Sequence, residues 1–137
     1  MSNNIIASVE FYFKGVKFAD SVEVELDQHM QTAGKTPDFF PLLANAMNID
    51  VYSYEHEMMQ AEEILFSHAQ GLAADYVNEG VFDSSAFEAA WIENKIHENL
   101  QEIAQRELSI DGLHQQPELK TALLEAYRLG ESVKYKE

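Results

Sequence analysis

Residues 5–26 read IIASVEFYFKGVKFADSVEVEL, and the alternation in that stretch decides the fold class. Ile5, Ala7, Val9, Phe11 and Phe13 point one way, with Ser8, Glu10 and Tyr12 on the other. Lys14-Gly15 supplies a tight turn. Val16, Phe18, Val22, Val24 and Leu26 then resume the apolar stripe, against Lys17, Ser21, Glu23, Glu25 and Asp27. Strand side chains alternate between faces, so two such runs around a glycine turn predict an antiparallel β-hairpin over 5–27 with one buried face. Asp20 breaks the stripe in mid-strand, which predicts a bulge or bend there.

Working outward, Gln28 to Thr36 reads as a polar loop and 38–130 as a helical portion. Asp38 is an N-cap, Pro41 is tolerated in the first turn, and Asn48 ends the helix in the left-handed conformation with Ile49 packed behind it. A second helix starts near Ser53. Met58, Ala61, Leu65, Ala69, Leu72 and Tyr76 step by three and four and form one helical seam, with Gly71 a point for a kink or break. Ser85-Ala86-Phe87-Glu88 is a capping-box pattern opening a third helix, with the stripe Ala89, Ile92, Ile96, Leu100 and Ile103. Pro117 opens a last helix, with Leu119, Leu123, Ala126 and Tyr127 inward and Gly130 at its end. The expectation is a single α+β domain over 1–137: an N-terminal antiparallel β-hairpin followed by about four helices packed as a small bundle against it. A two-stranded sheet has open edges, covered either by a helix or by pairing with a second copy, and the second option keeps a homodimer in view.

The 137 residues carry a net charge of −15, and its distribution is uneven. Between Lys35 and Lys95 there are eleven Asp and Glu side chains and no Lys or Arg. Such a charge argues against direct binding to nucleic acid or anionic membrane, both of which need basic side chains. No stretch approaches the apolar length of a membrane span, and the N-terminus lacks a basic region followed by a signal-type apolar run. The absence of cysteine removes disulfides, thiolate metal sites and cysteine nucleophiles, and fits a reducing, cytoplasmic location.

Motifs that carry chemistry fail at identifiable positions. Ala33-Gly34-Lys35-Thr36 resembles the end of a phosphate-binding loop, but His29 stands where the first glycine must be. His56-Glu57-Met58-Met59-Gln60 and His97-Glu98-Asn99-Leu100-Gln101 each lack the second histidine of a zinc-protease helix. No Gly-x-Ser-x-Gly elbow occurs. The remaining metal reading places Glu62, Glu63 and His68 on one helix facing Glu93 and His97 on the next, against the plainer reading of a solvated acidic face. No cofactor is expected.

Phe87 and Trp91 lie one turn apart and roughly opposite the Ile92–Ile96–Ile103 stripe. They read either as core between two helices or as an aromatic anchor in an acidic surround. Tyr52, Tyr54 and Met58-Met59, beside Glu55 and Glu57, read either as helix-entry packing or as an adaptable binding rim. The leading expectation is a non-enzymatic interaction module presenting an acidic surface to a basic protein partner. A metal-binding protein or small metal-dependent enzyme, and a mimic of nucleic acid, are the alternatives.

Overall fold

In the computed structural model, which describes residues 2–134, the opening hairpin forms as the alternation predicts. Strand β1 (Asn4–Phe13) pairs antiparallel with β2 (Val16–Glu25), closing on Phe13↔Val16. Lys14 and Gly15 have φ 52° and 76°, the positive pair that a two-residue hairpin turn needs to match strand twist. Ile5, Ala7, Val9 and Phe11 are buried, while Glu10 and Tyr12 are exposed. The expected bulge at Asp20 does not occur. Pairing runs unbroken through Val9↔Asp20, and exposed Asp20 accepts a hydrogen bond from the Ser21 amide (2.7 Å). A carboxylate in reach of water at the outer strand leaves the ladder undisturbed.

The hairpin is followed directly by a helix where a loop was expected. Helix α1 (Leu26–Ala33) buries Leu26 and Met30, one turn apart, and ends on Gly34 at φ 70°, whose N–H donates to the Met30 carbonyl. Two inward residues in a polar segment are too few to show a period, yet they suffice for a two-turn helix on a core. Helix α2 (Phe39–Ala46) follows, with the Asp38 side chain accepting from the Phe40 amide. Asn48 takes φ 56° and the Ile49 amide returns to the Ala44 carbonyl (2.8 Å), the left-handed ending expected there.

The largest correction lies over 53–82. Ser53 caps α3 through the His56 amide, but α3 (Tyr54–Gln60) spans only seven residues. The rest of the seam becomes strand β3 (Leu65–Gln70) and a 3-10 turn over Gly71–Tyr76. A small hairpin follows, β4 (Val77–Asn78) and β5 (Val81–Phe82), turning on Glu79 and Gly80. β3 pairs antiparallel with β1, giving a three-stranded sheet of order β2-β1-β3. The register slips by one residue between Asn4↔Gln70 and Ile6↔Ser67, beside His68 at φ 51°. The unpaired amides and carbonyls of β1 on that side explain the outcome: a third strand satisfies them, and a helix over 65–70 leaves them open.

Helix α4 (Ser84–Leu108) starts one residue before the capping box. Asp83 accepts from the Ala86 amide, and Glu88 reaches away to Thr36, accepting from its amide (2.9 Å) and hydroxyl (2.6 Å). A 3-10 turn (Leu113–Gln115) precedes α5 (Pro117–Lys134), which continues through Gly130.

The chain divides into two compact units, Met1–Trp91 and Ile92–Glu137, with the division falling inside α4. In the first unit the apolar face of the sheet lies under two clusters. One joins Ile5, Ala7, Val24 and Leu26 to Met30, Phe39, Phe82 and Phe87. The other joins Val9 and Phe11 to Leu43, Ala44 and Met59, with Phe11 stacked on Phe18 at 5.0 Å between ring centres. α2 and α3 thus pack on the sheet. In the second unit Leu100, Ala104 and Leu113 form a smaller core with Ile96, Leu119, Leu123 and Leu124 around it. Ile92, Ile103 and Tyr127, expected inward, are exposed.

Candidate interaction surface

The exposed approach to α3 is built by a short run of backbone-fixing contacts. The Asp50 carboxylate accepts from the Tyr52 amide (2.9 Å), and the Asp50 carbonyl accepts from the Ser53 hydroxyl (2.6 Å) and amide (3.0 Å). Ser53 in turn caps α3. Aspartate folding onto the backbone two residues on makes a turn of defined direction, and here it carries Val51 and Tyr52 outward. On α3 itself, His56 and Met59 face inward and anchor the helix, leaving Tyr54, Glu57 and Met58 on the open side.

The result is an apolar and aromatic rim at the surface. Tyr52 is 94% exposed and Tyr54 74%, with Val51 and Met58 each at 45%. Around them lie Asp50, Glu55 and Glu57. Among the described residues none of these three carboxylates has an ion-pair partner. Of the residues read as helix-entry packing or rim, Met59 is buried, whereas Tyr52, Tyr54 and Met58 are exposed.

Phe87 and Trp91 are placed inward. Phe87 is fully buried, within 5.7 Å of Phe82 and 6.5 Å of Tyr76 between ring centres. Trp91 packs on the same cluster and its Nε1 donates to Asp27 Oδ1 (2.9 Å). Both rings thus belong to the core arrangement, unlike the exposed Tyr52 and Tyr54.

Asp27 is a hydrogen-bond node of the first unit. It also accepts from the Asn3 amide and side-chain nitrogen (each 2.8 Å). Burial pushes its carboxyl up, but the hydrogen bonds from Asn3 and Trp91 outweigh that and hold it below the ordinary 3.8. Asn3 Oδ1 then accepts from the Ala73 amide (3.3 Å), so one buried asparagine ties the start of β1 to α1 and to the 3-10 turn. Nothing in the composition or spacing of Asn3 and Asp27 marks them, because their partners lie 24 and more positions away.

The residues of the metal reading fall on different kinds of structure. Glu62 and Glu63 sit in the turn between α3 and β3, and His68 is on β3 with its Nδ1 3.1 Å from the Ser67 hydroxyl. Glu93 and His97 do meet, one turn apart on α4 at 3.2 Å, but the same Glu93 oxygen accepts from the Arg128 guanidinium at 2.7 Å. A fixed cation on that oxygen opposes a second one. Among the described residues no group of three or more His, Asp or Glu is placed to hold a metal ion.

No helix among the described residues is long and apolar enough to cross a membrane. Comparison with protein-family models, with curated proteins and with solved structures gives no match.

Proposed function

We propose that the protein is a non-catalytic interaction module that binds a basic protein partner through the rim at the start of α3. The observation that carries this reading is the exposure of Tyr52 and Tyr54 on a backbone fixed by Asp50 and Ser53, among three carboxylates without an ion-pair partner among the described residues. Tyrosine is enriched at interface centres because its ring buries much area for little lost entropy, and its hydroxyl keeps a hydrogen bond. The surrounding carboxylates steer a basic partner and repel acidic ones, over a range of about 8 Å at physiological salt.

The test is retention of proteins from host lysate on immobilised protein at low salt, with elution along a salt gradient. A basic protein should elute at moderate salt from the wild type and be lost from a Tyr52→Ala/Tyr54→Ala variant of unchanged thermal midpoint. Equal recovery by that variant, or retention of no basic protein at any salt, would sink the reading.

A further inference from the structure

We infer that β1 takes an added strand: the edge it presents beyond Ser8 binds an extended, basic segment of the partner protein. The inference rests on the interaction-module reading and gives the partner's bound segment a conformation and a sequence character. It starts from a mismatch in length. β1 has ten residues, but its pairing with β3 stops at Ser8↔Leu65, where the chain has come from Ala61–Ile64 along a different path.

The hairpin fixes which backbone groups that leaves open. A two-residue turn between Phe13 and Val16 makes those two a hydrogen-bonded pair, so the odd residues of β1 exchange bonds with β2. The even residues turn their N–H and C=O toward the β3 side. Ile6 and Ser8 are met there by β3, whereas Glu10 and Tyr12 lie beyond its end. An unpaired strand edge is a template for an extended peptide, whose main-chain bonds supply affinity and whose alternate side chains supply specificity.

The side chains beside that edge define the occupant. A groove of about 500 Å³ opens there, lined by Ala19, Ala61 and Leu65 together with Glu10, Glu62 and Glu63. Glu10 is held by Lys17 (3.1 Å), which is itself raised above its ordinary 10.5 by that carboxylate. Glu62 and Glu63 are exposed and have no ion-pair partner among the described residues. Tyr12, 59% exposed on the same face as Glu10, offers a ring for an arginine or the stem of a lysine. The complement is a strand with Lys or Arg at every second position and small or β-branched residues between them. An acidic strand would set like charges side by side.

The test uses the full isotope-labelled chain and two capped heptapeptides, Val-Lys-Val-Arg-Val-Lys-Val and the same sequence with Glu at the three basic positions. Amide shifts should be confined to residues 8–12 and 61–65 with the basic peptide and absent with the acidic one. Glu62→Lys/Glu63→Lys, both exposed and so expected to fold, should weaken binding at least tenfold. N-methylation of the peptide amides that face β1 should do the same, whereas Tyr52→Ala/Tyr54→Ala should leave peptide affinity within twofold. Equal binding of both peptides, no binding at millimolar peptide, shifts elsewhere, or indifference to N-methylation each overturns the inference. If the lysate experiment succeeds while the peptide fails, the groove falls and the rim stands; if both fail, the interaction reading falls with it.

Discussion

Trp91 Nε1 and Asp27 Oδ1 are joined at 2.9 Å, linking the helix that starts at Ser84 to the one that starts at Leu26 across 64 positions of sequence. The same carboxylate holds Asn3, and Asn3 holds Ala73. Strand, two helices and a 3-10 turn therefore share one polar node at the margin of the core.

Replacing Asp27 by Ala removes the acceptor from three donors at once. A hydrogen bond to a charged group contributes about 1.5–3 kcal/mol, and donors left unpaired cost more than the bond itself returns. Urea unfolding of Asp27→Ala should show a loss of about 3 kcal/mol or more, against less than about 0.5 kcal/mol for exposed Glu23→Ala.

The pH dependence follows from the same carboxyl. Its folded value lies below the ordinary 3.8, so its contribution to stability is complete above that pH and is lost as pH falls through the lower folded value. The stability gap between wild type and Asp27→Asn should therefore be constant near neutrality and narrow on acidification below about pH 4. A gap that widens there contradicts the assignment.

Gly71 has φ +74°, and a Cβ built on it would stand 2.5 Å from Asn3 Oδ1 and 2.7 Å from the Ser2 carbonyl oxygen. Gly71→Ala combines a strained backbone with displacement of the Asn3 node. The expected loss is about 2–4 kcal/mol. Gly34→Ala, with positive φ but open space around it, should lose only the backbone part, and comparing the two thermal midpoints separates the terms.

Glu55→Lys/Glu57→Lys reverses charge on the rim without touching a hydrogen bond of the fold. Partner retention should drop, and the salt dependence of what remains should flatten, with the unfolding free energy changed by under about 1 kcal/mol.

Titration with zinc, manganese, iron or calcium should give no thermal shift, because Glu93 is already engaged by Arg128 while Glu62, Glu63 and His68 lie on a turn and a strand. A shift that disappears in His97→Ala would restore the metal reading.

The hairpin was legible because strand alternation is a local property. Phe11 and Phe18 need only their own neighbours and a turn that accepts positive φ at Lys14 and Gly15. The caps at Asp38 and Ser53 and the left-handed Asn48 were legible for the same reason, each bond closing within a few residues. Helix α1 was not, since Leu26 and Met30 alone make no pattern. The rim was half legible: its residue types were visible, but which methionine turns inward depended on where α3 meets the sheet.

Residues 65–76 mark where local reading ends. Leu65, Ala69, Leu72 and Tyr76 satisfy a helical period, yet over 65–70 the chain is a strand. Backbone pairing with β1 settles the matter there, and the bond-starved edge that recruits it lies some sixty residues earlier in the chain. Chain-local physics thus determined the hairpin, its buried face and the helix caps. Tertiary structure alone decided the third strand, the part-buried node at Asn3 and Asp27, and the extra length of β1 that β3 leaves unpaired, because each depends on which distant hydrogen-bonding groups meet once the chain has folded.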